Sequence, residues 1–138
     1  MTRSSGVMFA LLPRFCELIL NGEKNVEVRL TWPVQITTPF CAFLYQTKRG
    51  TGLGKIVGEC TVDRITYADP GFRPSDALLA SSGLSKDELE NYARGRQLYF
   101  LHLSDAKRYE EPKELRSFLC HGLRMRRPPQ SFCYVEVA

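Results

Sequence analysis

The sequence predicts an α+β domain: a small, mostly antiparallel or mixed β-barrel of five to six strands with three to four short helices. Three observations predict it. The hydrophobic period switches repeatedly between about 3.6 and 2 along the chain, so helices and strands come in short pieces. Strand patterns are separated by turn residues or single helices, without the regular strand–helix alternation of a doubly wound sheet. No repeat, low-complexity tract or linker interrupts the 138 residues, which read as one domain over 1–138.

Residues 7–12 form an apolar run suited to a buried strand, and Pro13 follows where a starting helix loses nothing by the missing N–H. Phe15, Leu18 and Ile19 lie at helical spacing, which predicts an amphipathic helix over 13–20 that Gly22 stops. Val26, Val28 and Leu30 then alternate with Glu27, Arg29 and Thr31, the pattern of a strand with one buried face. Lys24 therefore falls in the helix-to-strand turn, and Glu27 and Arg29 project from one strand face. Trp32 and Pro33 break the regularity, and 40–46 read as the next strand, rich in aromatic and apolar residues.

The stretch 48–55, with Lys48, Arg49, Gly50, Gly52, Gly54 and Lys55, superficially suggests a phosphate-binding P-loop. Its spacing is wrong, Ile56 stands where Ser or Thr would bind magnesium, and a strand follows where a helix is required. A flexible, basic hairpin loop is expected instead. Residues 55–65 form a long strand pattern with Gly58 a bulge or close-approach site. Asp69, Pro70, Gly71 and Pro74 mark a turn-rich insertion, followed by a short helix over 75–80. Ser85 followed by Glu88 is a capping box, predicting a helix that ends near Arg94 and Gly95. A strand over 97–104 comes next, then a helix opened by Pro112, running through Leu115, Phe118 and Leu119 and closed by Gly122. A basic loop over 124–129 leads to a final strand over 131–137.

Composition narrows the function classes. A hydrophobic fraction of 43% and a charged fraction of 25% are those of an ordinary globular domain, long enough to bury a core without disulfides or metals. No apolar run approaches the roughly 18 residues of a membrane span, and residues 1–6 lack the apolar region of a signal peptide. A cytoplasmic location without a membrane partner is expected. The five cysteines, Cys16, Cys41, Cys60, Cys120 and Cys133, are odd in number and scattered, which encodes neither a disulfide framework nor a zinc site. Most are expected to be small core residues. His102 and His121 are too few for a histidine-rich metal site, so no metal or cofactor is expected; His102, inside an apolar strand, reads as a structural histidine.

Nineteen basic against fifteen acidic residues give a net charge of +4, which permits nucleic-acid binding only if the charges are patterned. Acidic residues gather at Asp87, Glu88, Glu90 and at Glu110, Glu111, Glu114. Basic ones gather at Lys48, Arg49, Lys55 and at Arg124, Arg126, Arg127. That separation predicts one positive face.

Gly22, Lys24, Glu27 and Arg29 form the pattern GxKxxExR. Its plain reading is a surface ion pair on a solvated strand face, worth little to folding. The pattern also resembles the signature of the ASCH domain family, a branch of the PUA-like superfamily. The resemblance continues in order along nearly the whole chain. Residues 40–65, with Gly58 and Glu59, resemble that family's next hairpin, and 83–104 its helix leading into a strand. Arg127, Pro128, Pro129, Gln130 and Ser131 resemble its closing segment. The resemblance implies a PUA-like pseudo-barrel with an adjacent cleft. The first functional hypothesis is nucleic-acid binding in a basic cleft, with single-stranded or structured RNA as the partner.

A nucleic-acid site needs cations for phosphates and aromatic faces for bases. Lys24, Arg29, Arg124, Arg126 and Arg127 can supply the first, with Glu27 orienting Lys24 and Arg29, and Ser131 beside them in the closing segment. Trp32, Tyr45 or Phe132 can supply the second, Trp32 because Pro33 should hold it in an exposed loop. The competing readings are a solvated arginine loop and core aromatics.

The second hypothesis is a hydrolase acting on RNA or a modified nucleoside. The resembled family includes an amidohydrolase branch that deacetylates N4-acetylcytidine and members with ribonuclease activity. In the amidohydrolase branch a threonine nucleophile stands three residues after the motif lysine, and a glutamate shortly before the capping-box helix. Here Lys24 matches, but the other positions hold Glu27 and the pair Ser81, Ser82. A different arrangement would keep Lys24 in the active site with Glu27 or Glu59 as a second acid–base group. Because Glu27 favours the charged lysine, binding ranks above catalysis. A peptide or protein interaction module is the third reading.

Overall fold

The computed structural model describes residues 4–32 and 35–138. Among them, eight strands form a single sheet: β1 (Ser5–Leu11), β2 (Val26–Arg29), β3 (Phe40–Gln46), β4 (Lys55–Ala68), β5 (Leu98–Lys113), β6 (Phe118–Cys120), β7 (Leu123–Arg124) and β8 (Phe132–Val137). Their spatial order is β2-β5-β4-β3-β1-β8-β6-β7. β1 runs parallel to β3, from Val7 opposite Ala42 to Leu11 opposite Gln46, and the remaining pairs are antiparallel.

The predicted closed barrel is corrected to an open sheet, with β2 and β7 at its ends. The sheet still curls. Arg29 on the β2 edge donates to Ser131 at the start of β8, so side chains occupy the place where a closing backbone ladder would lie.

The first half follows the periodicity. α1 (Pro13–Leu20) has Pro13 in its first turn, and Gly22 beyond its end takes a positive φ of 79°. α2 (Asp76–Ser82) is capped by the Ser75 side chain, and α3 (Lys86–Ala93) carries the reciprocal Ser85–Glu88 capping box. Gly58 sits at a register shift in β4, where an added Cβ would come 2.5 Å from the Lys107 carbonyl oxygen.

The predicted helix after Pro112 does not form. β5 continues to Lys113, opposite Ile56, and a 3-10 turn at Leu115–Ser117 leads into β6. Pro112 is tolerated because β5 pairs with β2 only at 99–102, so its far end has one edge without a strand neighbour. Phe118 is instead fully buried, edge-on to Phe43 at 5.0 Å between ring centroids.

Three apolar clusters hold the layers together. Phe9, Leu11, Ile19, Leu44, Val62 and Leu101 fill the concave side under α1. Met8, Phe43, Tyr45, Ile56, Tyr109 and Phe118 fill the other side. Val26, Val28, Leu89, Leu98 and Phe100 bury the outer face of β2 and β5 with α3. β2 therefore has cover on both faces, not one: the valines face this third cluster, while Glu27 borders the first.

Cys16, Cys41 and Cys60 are buried, Cys120 and Cys133 half-buried, and none of the five is in a disulfide. His102 Nε2 lies 2.9 Å from Thr66 Oγ1, a partnered structural histidine. Among the described residues no helix is long and apolar enough to cross a membrane.

Candidate nucleic-acid interface

The turn after α1 is pinned by backbone hydrogen bonds. The N–H groups of Glu23 and Lys24 both donate to Leu18 O at 2.9 Å, and Asn25 N–H donates to Ser81 O at 2.7 Å. This directs the Lys24 side chain inward, against the plain reading of a surface ion pair on a solvated face. Lys24 is 2% exposed, and its Nζ donates to Val26 O at 2.7 Å and Ser82 O at 2.5 Å and lies 3.3 Å from Glu27 Oε1. An ammonium has three N–H donors, and three acceptors take them. Its stem packs beside Gly83, whose φ of 71° ends α2. The Ser81–Ser82 segment, where the amidohydrolase pattern calls for a nearby glutamate, contributes backbone carbonyls to hold this turn.

Glu27, 9% exposed, bridges the two cations: its Oε2 accepts from Arg29 Nη2 at 2.7 Å. Arg29 Nη1 donates to Ser131 Oγ, and the guanidinium lies 5.1 Å over the Phe9 ring and 5.9 Å over that of Phe132. Its Nε–H is buried and has no hydrogen-bond partner. Burial alone would raise the Glu27 pKa, but Arg29 and then Lys24 outweigh it and hold the carboxyl below its ordinary 4.5. Burial lowers the Lys24 pKa from its ordinary 10.5, with Glu27 opposing.

A depressed carboxyl pKa contributes stability that is complete above the unfolded value and is lost as pH falls through the native one. Chemical denaturation from neutral pH downward should therefore show stability falling below about pH 4.5 in the wild type. The Glu27→Gln variant should show a shallower acid limb; parallel profiles would mean that Glu27 is not linked to folding.

Two concavities flank the end of β1, sharing Ala10 and Leu12. One, of about 540 Å³, is lined by Arg14, Phe15, Lys24, Glu27, Arg29 and Tyr92 among others. Arg14 stacks on Phe15 at 4.5 Å and pairs with Glu88, joining α1 to α3 across this cleft. Arg14 and Tyr92 escape the sequence reading. The available signal is helical spacing, which puts Tyr92 four residues after Glu88 on one face of α3. The other concavity, of about 840 Å³, is lined by Tyr45, Thr47, Lys48, Arg49, Glu114, Arg116 and Arg126 among others.

The remaining expected site residues divide. Ser131 is brought to Arg29, and Arg126 to the larger concavity. Arg124 is turned aside, donating to Arg116 O at 2.9 Å, and Arg127 is exposed outside the lining of both concavities. Tyr45 is 3% exposed, a core residue with one side on the larger concavity. Trp32 is not the exposed platform expected from Pro33. It is half-buried and stacked on two rings, 8° from parallel to Phe9 and 12° to Phe40, with Phe132 tilted against it at 4.8 Å. Glu59 is on the other side of the sheet, accepting from Tyr109 Oη at 2.9 Å, and does not meet Lys24.

The lysine, glutamate and arginine of GxKxxExR thus form one buried network leading into an edge strand, and the family model that matches the chain covers them. Residues 4–125 match the model of a domain of unknown function, DUF365. The chain belongs to this family. No curated protein matches it. Three solved structures share the fold with a TM-score of 0.71, all of an ASCH protein from Zymomonas mobilis. The unsubstituted protein is 21% identical, over 93% of this chain and 85% of its own. A tyrosine-to-phenylalanine mutant is 20% identical, over 93% and 88%, and a serine-to-alanine mutant 19%, over 93% and 86%. The DUF365 chain therefore has an ASCH-like fold.

Proposed function

We propose that this domain binds single-stranded or structured RNA in the 540 Å³ cleft beside the Lys24–Glu27–Arg29 network. The observation that carries the reading is Arg29. Its guanidinium is held over two aromatic rings by Glu27 and Ser131, and a buried Nε–H is left without an acceptor. An orphaned buried donor is costly, and a small shift of the guanidinium toward a ligand oxygen would satisfy it. Around it, Arg14, Phe15 and Tyr92 offer the cation and aromatic faces that nucleobases and phosphates use. The ASCH-like fold and the resemblance of the motif to that family favour RNA as the ligand.

In this reading Lys24 is a positioning residue: its three donors are spent on the protein, it fixes Glu27, and Glu27 fixes Arg29. The hydrolase alternative has less support. Glu27 is ion-paired on both oxygens, Lys24 has no free lone pair to accept a proton while its three acceptors are engaged, and Glu59 lies on the other side of the sheet.

The test is fluorescence anisotropy with single-stranded RNA of about eight nucleotides. Arg29→Ala should weaken binding about tenfold or more, as loss of a charge-assisted contact does. Arg29→Lys should weaken it nearly as much, because an ammonium cannot keep the paired, stacked geometry. Unchanged affinity in both variants overturns the role of Arg29, and absence of RNA binding in the wild type transfers the cleft to the peptide reading.

A further inference from the structure

We infer that the 840 Å³ concavity on the far side of Ala10 and Leu12 is a second subsite, one that takes the phosphodiester backbone of the strand whose base occupies the cleft. This rests on the RNA reading above and adds to it that the ligand is an oligonucleotide and not a free nucleoside.

Four cations from three separate segments line the concavity: Lys48 and Arg49 from the β3–β4 loop, Arg116 from the 3-10 turn, and Arg126 from the loop before β8. None of them has an ion-pair partner among the described residues. The acidic residue of the lining, Glu114, is already paired with Lys55 at 3.4 Å. Like charges converging without counter-charge repel one another, and a polyanion relieves that repulsion.

The loop carrying Lys48 and Arg49 is the basic hairpin loop expected from its glycines, and it is tied by backbone hydrogen bonds. Gly52 N–H donates to Arg49 O at 3.1 Å, Gly54 N–H to Gln46 O at 3.0 Å and Leu53 N–H to Gln46 Oε1 at 2.9 Å. Thr47 N–H ties its base to Leu11 O at 3.0 Å, next to the shared ridge. These bonds favour one loop geometry, which lowers the ordering cost of binding. Thr47, in the same lining, has a buried Oγ1 without a hydrogen-bond partner, and a rotation toward a phosphate oxygen would give it one.

Because both concavities border Ala10 and Leu12, a strand can cross that ridge with a base on one side and its phosphates on the other. Phosphates neutralised there release counterions, so the subsite adds its own share to the salt dependence of binding.

The experiment measures binding of cytidine, uridine and a single-stranded RNA of about eight nucleotides to the full chain, each at several salt concentrations. A Lys48→Ala, Arg49→Ala, Arg126→Ala triple variant is compared with the wild type, its fold checked by thermal unfolding. In the wild type the oligonucleotide should bind far more tightly than either nucleoside. In the variant its affinity should fall at least about tenfold at low salt, and the slope of log affinity against log salt should decrease by about two, at roughly 0.7 for each phosphate no longer neutralised. Nucleoside binding should not change. An oligonucleotide that binds the variant with wild-type affinity and slope overturns the second subsite while leaving the RNA reading intact. If neither RNA nor nucleoside binds the wild type, both fall together.

Discussion

Lys24→Ala should destabilise the protein by about 3–5 kcal/mol, the cost of breaking a buried ion pair by removing one partner. From the sequence alone this lysine reads as a turn residue whose loss should hardly affect folding. Its burial reverses that. The substitution leaves Val26 O and Ser82 O without their donor and leaves Glu27 enclosed with one cation where it had two. Lys24→Met, which keeps much of the apolar stem, should recover little, because what disappears is hydrogen bonding and charge. Urea unfolding of the two variants decides the matter: a loss below about 1 kcal/mol in both would mean that the ammonium contributes no more than an exposed charge.

Trp32→Ala should cost about 3 kcal/mol, at the lower end for a large aromatic because the ring is half-buried. Phe9, Phe40 and Phe132 all contact the indole, so truncation opens a cavity shared by β1, β3 and β8. Phe9 also lies under Arg29, so some loss of RNA affinity should accompany it, smaller than that of Arg29→Ala. If stability is unchanged while RNA affinity falls by about 1–3 kcal/mol, the indole is a stacking platform after all.

How far the sequence carries the structure depends on whether the deciding interaction is local. The Ser85–Glu88 capping box, the Pro13 helix start and the alternation through Val26 and Val28 are settled within a few residues, and each forms where expected. Lys24 is different, because one of the acceptors that allows its burial is Ser82 O, 58 positions away. Trp32 followed by Pro33 signals a break in regular structure but not what packs over the break; Pro33 itself lies outside the described residues. Pro112 favours a helix start by local rules, yet β4 offers a ladder through Lys113 that only the tertiary arrangement provides. The ring of charges around the larger concavity is half legible: two basic clusters are visible in the sequence, but Arg116 joins them only through the 3-10 turn.

The position of β2 at the end of the sheet has a consequence for self-association. An edge strand leaves a row of backbone donors and acceptors to which another chain can add a strand. Here the ion network occupies that row. Lys24 Nζ takes the Val26 carbonyl, and the Val28 N–H donates to Glu27 Oε1 at 3.3 Å. The charges that shape the cleft thus also block strand addition at this edge, and any substitution that removes them uncovers a template for aggregation.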